Sequence, residues 1–322
     1  MTRRLVSLLC SLGGLALLAW ILRAIGLDVI LDGLARVGRG LPVILILSLA
    51  RHTVRAYAWT QLMDEPVPLA AALRATISGD AFGNVTPLGP LASEPAKSAY
   101  LAGIVPASRS FPALMAENVI YGISMALYVS LGAIGLLAAA AGWANDPSRG
   151  PMAQNDAMHM AGLVTLAAMG VLVLLIFVVA WRRPAALSSL FAWLPGSWTD
   201  QHIDRVQRFE THTYDLVRSG MRRLVAAETA FHVLSFAEAW FTLWLLTGTS
   251  MPTAALVLDS VNRVINVAFK LIPLRAGVDE YAAAIVSSGV GVRPDVAIVL
   301  ALVRKLRLLI WAVAGLGIWA RR

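Results

Sequence analysis

Charged side chains stand in or beside otherwise apolar stretches of the 322-residue chain: Arg51, Arg55, Glu94, Lys97, Arg263, Lys270, Arg275, Asp279, Glu280 and Arg304. Such groups are expensive in lipid and face protein or a water-filled cavity. Guanidinium and ammonium groups gathered in one place bind oxyanions, and arginine does so with a planar fork of donors. The chemistry these residues suggest is therefore non-covalent capture of an anion such as a phosphate. Glu94 and Glu280 would hold the cations while the site is empty, or take up a proton. Catalysis is not expected, because no nucleophile and base stand at a recognisable spacing. Nor is a cofactor or a metal. The single cysteine, Cys10, excludes an internal disulfide and a cysteine-based cluster, and the five histidines form no close pair on a helix face.

Two stretches would have to position these groups. Thr86 to Gly103 reads TPLGPLASEPAKSAYLAG, and Ile272 to Gly289 reads IPLRAGVDEYAAAIVSSG. One offset carries Pro87 onto Pro273, Leu88 onto Leu274, Glu94 onto Glu280 and Gly103 onto Gly289. Pro87, Gly89, Pro273 and Gly277 break helices, and irregular backbone at membrane depth survives only when buried in protein or lining a cavity. The expectation is two re-entrant hairpins facing each other. In the first, Gly79, Gly83 and Asn84 begin the break, and Ser93 caps a second half-helix opening near Glu94-Pro95. The second return half opens at Gly277. Half-helix N-termini would add positive dipole ends to the site. A plainer reading stays open: Glu94, Asp279 and Glu280 only stabilise first turns, and Arg51 and Arg55 only snorkel to an interface.

The composition puts these stretches in a membrane. The chain is 58% hydrophobic and 14% charged, with a mean hydropathy of +0.71. A soluble protein of this length needs more charge on its surface. The net charge of +8 reflects basic cytoplasmic loops, and no basic soluble domain exists to bind nucleic acid. The expected fold is an all-α integral membrane protein with about six spans plus the two hairpins. The spans are Leu5–Leu22, Leu41–Leu62, Phe111–Gly142, Met160–Trp181, Leu224–Gly248 and Asp295–Ala320. Asp28–Val37 reads as a short interfacial helix. Residues 182–223 hold seven arginines and read as a cytoplasmic linker with an amphipathic helix lying on the inner leaflet.

This count places both termini in the cytoplasm of a bacterial inner membrane. It makes 1–322 one transmembrane domain with a first unit at 41–142 and a second at 224–320. The first hairpin then opens from inside and the second from outside, which is the inverted repeat of many transporters.

Four places carry a family resemblance: Arg51-x3-Arg55-x3-Trp59-x2-Leu62, Thr86-Pro87 with Glu94 and Lys97, Pro273 with Gly277-Val278-Asp279-Glu280, and Arg304. The chain resembles the lysylphosphatidylglycerol synthase transmembrane, flippase-like family along most of its length. Members usually show a Pro-Gly-Gly-x-Gly-x-x-Glu run at the second break. Here Leu274, Arg275 and Ala276 replace its small residues, and Asn118 and Tyr121 follow Glu117 where relatives often carry arginine and aspartate. The resemblance implies translocation of a lipid between leaflets. No stretch is polar enough to be the soluble aminoacyl-transferase domain of the full synthases, so lysyl-lipid synthesis is not expected. An anionic, glyco- or polyprenyl-phosphate lipid is the expected partner. Transport of a small soluble anion with protons, or a non-transporting role in a lipid-synthesis complex, are the alternatives. Small residues on the spans allow a homodimer without requiring one.

Overall fold

A computed structural model describes residues 23, 27–63, 65–85, 90–144, 152–182, 188, 197–269, 275 and 277–322. Among them there is no strand. The helices are α1 (Leu27–Gly38), α2 (Leu41–Thr60), α3 (Leu69–Val85), α4 (Pro90–Tyr100), α5 (Ala107–Ala144), α6 (Met152–Arg182), α7 (Ser197–Thr247), α8 (Pro252–Ala268), α9 (Val278–Ser287) and α10 (Pro294–Ala320). The expected first span, Leu5–Leu22, lies outside the described residues. So do Pro87, Gly89, Lys270 and Pro273, and hence the tips of both breaks.

Among the described residues, three helices are long and apolar enough to cross a membrane: α5, α6 and the C-terminal part of α7. A fourth span results if α1 and α2, bent by 72° where they meet, are taken together. The helix α6 is the most lipid-like, with 6% of its apolar window buried. It packs on α5 and presents Leu163, Val164, Val171 and Leu174 outward. The helices α2 and α10 fail the same test because they carry the charged residues of the interior.

Helix lengths follow one pattern twice. A long helix is followed by one of 17 residues, a break, one of 11 residues and a long helix, as α2 to α5. The same order returns as α7 to α10, with 17 and 10 residues flanking the second break. Neighbours also correspond. The helix α3 packs on α10 of the other unit, α8 packs on α5, and α2 packs on α7. The first two of these crossings rely on a glycine. A Cβ on Gly315 of α10 would meet Ile77 and Ala81 of α3, and one on Gly132 of α5 would meet Ser260 of α8. The exception is α5, which packs on α7 with no equally close pairing of α10 and α2.

Two local expectations need correction. The first break does not begin at Gly79: α3 runs through Gly79, Gly83 and Asn84 to Val85. The second half-helix does not open near Glu94-Pro95 either. It starts at Pro90, where proline's fixed φ suits a first position, and Pro95 lies within it. Ser93 therefore caps nothing, and its hydroxyl donates to Asp80 across the break (3.1 Å).

The amphipathic segment of the linker and the following span also prove to be one element. The 51 residues of α7 extend about 76 Å at ~1.5 Å each, far more than the ~30 Å of a hydrocarbon core. Apolar residues expected to rest on lipid instead pack on protein. Val217 joins Leu224 and Ala227 of the expected span, Ala58 of α2, Leu62 just after it, and Ala113, Ala116 and Ile120 of α5 in one cluster, and Phe209 stacks on Phe111 at 5.5 Å.

Candidate functional site

The inner faces of α2, α3, α4, α5, α7, α8 and α10 surround a cavity of about 390 Å³. Five arginines line it: Arg51, Arg55, Arg263, Arg275 and Arg307. So do Asp80, Glu94, His52, Ser93, Asn84, Asn118, Asn266 and the rings of Tyr121, Phe231 and Trp311. Arg51 and Arg55 are four residues apart on α2, so one helical face delivers both.

Each guanidinium is held from behind by a carboxylate on another turn or another helix. Arg55 grips Glu117 of α5 with two parallel bonds, Nε at 2.6 Å and Nη2 at 2.9 Å. Arg51 reaches Glu238 of α7 at 2.9 Å, and Arg307 of α10 donates to the other oxygen of that carboxylate. Arg263 bonds Asp259 one turn earlier (3.1 Å). Arg275 stands 3.5 Å from Asp279. Aromatic faces separate the guanidiniums. The Phe231 ring lies 4.8 Å from Arg51 and 5.8 Å from both Arg55 and Arg263. Tyr121 covers Arg55 at 4.7 Å, and Tyr128 covers Arg263 at 4.3 Å. Contact with ring quadrupoles adds to the ion pairs. Without both, several like charges could not gather away from bulk water.

The lining is left partly unsatisfied. Arg51 Nε, Arg263 Nη2 and Trp311 Nε1 are buried donors without an acceptor among the described residues, Arg275 Nε makes only its 3.5 Å approach to Asp279, and Glu94 Oε2 and Asn266 Oδ1 are acceptors without a donor. Buried polar atoms are nearly always paired, and six of the thirteen unpaired ones among the described residues belong to side chains that line this cavity.

Of the residues singled out in the sequence, Arg51, Arg55, Arg263, Arg275 and Glu94 meet at this cavity. Lys97, Asp279, Glu280 and Arg304 stand behind its lining. Lys97 is buried between Asp80 (2.9 Å) and Glu94 (3.0 Å). Arg304 bonds the Leu258 carbonyl (3.2 Å) and Asp259 (3.4 Å). Glu280 takes 2.6 and 2.7 Å bonds from Lys305 and accepts from the Gly277 backbone N–H at 2.9 Å.

Gly277, at φ 82°, turns the chain into α9. Arg275 has φ 48°, a left-handed conformation uncommon for a side chain of this size. Lys305 fixes it by bonding its carbonyl at 3.1 Å. Such strain persists where the surroundings impose it and concentrates at working sites.

Sequence reasoning gave no site role to Asp80, Arg307, Trp311, Phe231 and Tyr121. Asp80 joins the two arms of the first break: it accepts from Ser93, pairs with Lys97, and lies 3.4 Å from His52 Nδ1. The signal available for it was a carboxylate in an apolar helix with no basic residue within a turn. Arg307 follows Arg304 by three residues, so both faced the interior and either could have been chosen.

An all-helical membrane protein with a charged internal cavity is the class that fold and site define. The chain belongs to the family described as the lysylphosphatidylglycerol synthase TM region, whose model matches residues 4–317. No curated protein and no solved structure matches it.

Proposed function

We propose that the protein moves a lipid with an anionic headgroup between leaflets of the bacterial cytoplasmic membrane, holding the headgroup in the arginine-lined cavity. The observation that carries this reading is the gathering of five arginine side chains, Arg51, Arg55, Arg263, Arg275 and Arg307, around about 390 Å³ of space. That volume lies in the range of roughly 300–1,000 Å³ usual for small-ligand sites. Val267, which also lines the cavity, is 59% exposed. In this reading the wall at the end of α8 faces the bilayer, where an acyl chain remains while the headgroup enters.

The repeated helix order and corresponding neighbours support two units, 41–142 and 224–320, of opposite orientation. In this reading the breaks after α3 and α8 are re-entrant hairpins, six spans cross the bilayer, and both termini are cytoplasmic. Arg51, Arg55, Arg263, Arg275 and Arg307 bind phosphate oxygens. Lys97, Arg304, Asp279 and Glu280 support them, and Glu94 gates entry. The anion class is a phosphate carried by a glycerol-, glycan- or polyprenyl-linked lipid.

Vesicles reconstituted with the protein and fluorescent phosphatidylglycerol test it. Quenching of the outer-leaflet label should exceed the half that protein-free vesicles show. The excess should fall at least roughly tenfold for Arg51→Gln, as one charge-assisted bond contributes about 1.5–3 kcal/mol. Wild-type protein that leaves the quenched fraction at half overturns the reading. Uptake of radiolabelled phosphate without lipid movement would assign the cavity to a soluble anion.

A further inference from the structure

Behind the Arg55–Glu117 fork stands a carboxyl group that no ion pair accounts for. Glu228 of α7 is 0% exposed, and neither of its oxygens has a hydrogen-bond donor among the described residues. Ala113 and Ala116 of α5 share an apolar cluster with Leu224 and Ala227 of α7. Glu117 and Glu228, the residues that follow Ala116 and Ala227, lie on the same two packed helices, near enough for their charges to interact. The charged groups that face Glu228 are Glu117 from α5, Arg55 from α2 and Arg263 from α8. Both arginines are already committed, Arg55 to Glu117 and Arg263 to Asp259. On its own helix, His232 is one turn away and is engaged with Ser124 (3.0 Å). Two ionised carboxylates here would be an unpaired buried charge beside a like charge, the costliest arrangement a protein interior can hold. A proton on one of them removes that repulsion and supplies an O–H that can donate to the other carboxylate once it is free, among the strongest hydrogen bonds available.

We propose that Glu228 and Glu117 hold one proton between them, and that this proton lets Arg55 leave Glu117 for an anion in the cavity. While Arg55 grips Glu117, Glu228 is the neutral acid. When the guanidinium turns to a phosphate oxygen, Glu117 loses two N–H donors and its counter-ion. The Glu228 O–H then donates to the freed carboxylate. No proton enters or leaves: one hydrogen bond replaces two, and the positive charge passes from carboxylate to phosphate. Glu228 is thus a positioning residue that reaches the ligand only through Arg55. The second half of the proposal rests on the anion-binding reading of the cavity, and the shared proton does not.

Infrared difference spectroscopy in an ester-free detergent separates the two halves. Wild-type protein should show a protonated-carboxyl C=O band that Glu228→Gln removes and Glu228→Asp retains. Arg55→Gln should move that band to lower frequency with no anion present, and inorganic phosphate should do the same to the wild type. Phosphate affinity should fall roughly tenfold in Glu228→Leu, the loss of one hydrogen bond. Glu228→Gln should hold it within about twofold, because an amide N–H can still donate to Glu117. A band that survives Glu228→Gln unchanged, or one indifferent to Arg55→Gln, overturns the shared proton. A band that behaves as described under mutation but ignores phosphate keeps the shared proton and overturns anion binding in the cavity instead.

Discussion

Glu94 and Glu280 occupy the same place in the two similar stretches, yet their surroundings have diverged. Glu280 is closed off: Lys305 bonds both oxygens and the Gly277 N–H adds a third bond at the start of α9. It serves both as a counter-charge and as a cap for the helix that follows. Glu94 lies inside α4 rather than at its start, so it caps nothing. One oxygen bonds Lys97 and the other is unpaired at the cavity. Lys97 does not depend on it, because Asp80 holds the same ammonium at 2.9 Å. Two equivalent positions thus differ in their bonding, one fixing the scaffold and one keeping an unpaired oxygen beside the cavity, where a neighbouring acid relieves the second of its structural task.

The sharpest way to break this contrast is to remove each carboxylate. Glu280→Ala leaves Lys305 buried with only the Arg275 carbonyl and Asp279 at 3.7 Å. It should cost roughly 3–5 kcal/mol, read as a large fall in the thermal unfolding midpoint in detergent. Equal losses for Glu94→Ala and Glu280→Ala would dissolve the distinction. Next in size is Glu238→Gln, which unpins Arg51 and Arg307 together. It should destabilise by about 2–3 kcal/mol yet tighten inorganic phosphate binding in a calorimetric titration, because the guanidiniums lose their internal competitor. Glu94→Gln should cost about 1.5 kcal/mol or less while slowing lipid movement more than any other single carboxamide at the breaks. The smallest effect belongs to Arg293→Ala. Its exposed pair with Asp295 contributes below about 1 kcal/mol, and neither unfolding nor lipid movement should change measurably.

Much of this was legible in the chain because charge inside apolar sequence is itself a signal. Arg51 and Arg55 on one face of α2, the charged residues of α10, and the two broken stretches all announced an interior that had to be polar. Helix ends were less legible. Proline and glycine near 79–95 suggested an early break, but α3 absorbs its glycines because its residues are buried against α10 and α2. The linker's amphipathic face suited lipid or protein equally, and only the long α7 shows that it packs on α5. Pairing was the least legible. Arg51 and Glu238 are 187 residues apart, and Arg307 and Glu238 are 69 apart. Helical periodicity gives the face of a residue but not which helix lies opposite. Glu117, Glu238 and Asp259 could be noted as acids in apolar helices, yet nothing local said which arginine each would hold.

The central claim is that a headgroup occupies the space among Arg51, Arg55, Arg263, Arg275 and Arg307. The most direct measurement is photo-crosslinking with phosphatidylglycerol carrying a diazirine on the headgroup, followed by peptide mapping. The account predicts adducts on cavity residues of α2, α8 and α10, around 51–55, 263–267 and 307–311, that an excess of unlabelled phosphatidylglycerol competes away. Adducts confined to the lipid-facing surface of α6, with none in the cavity, would contradict it.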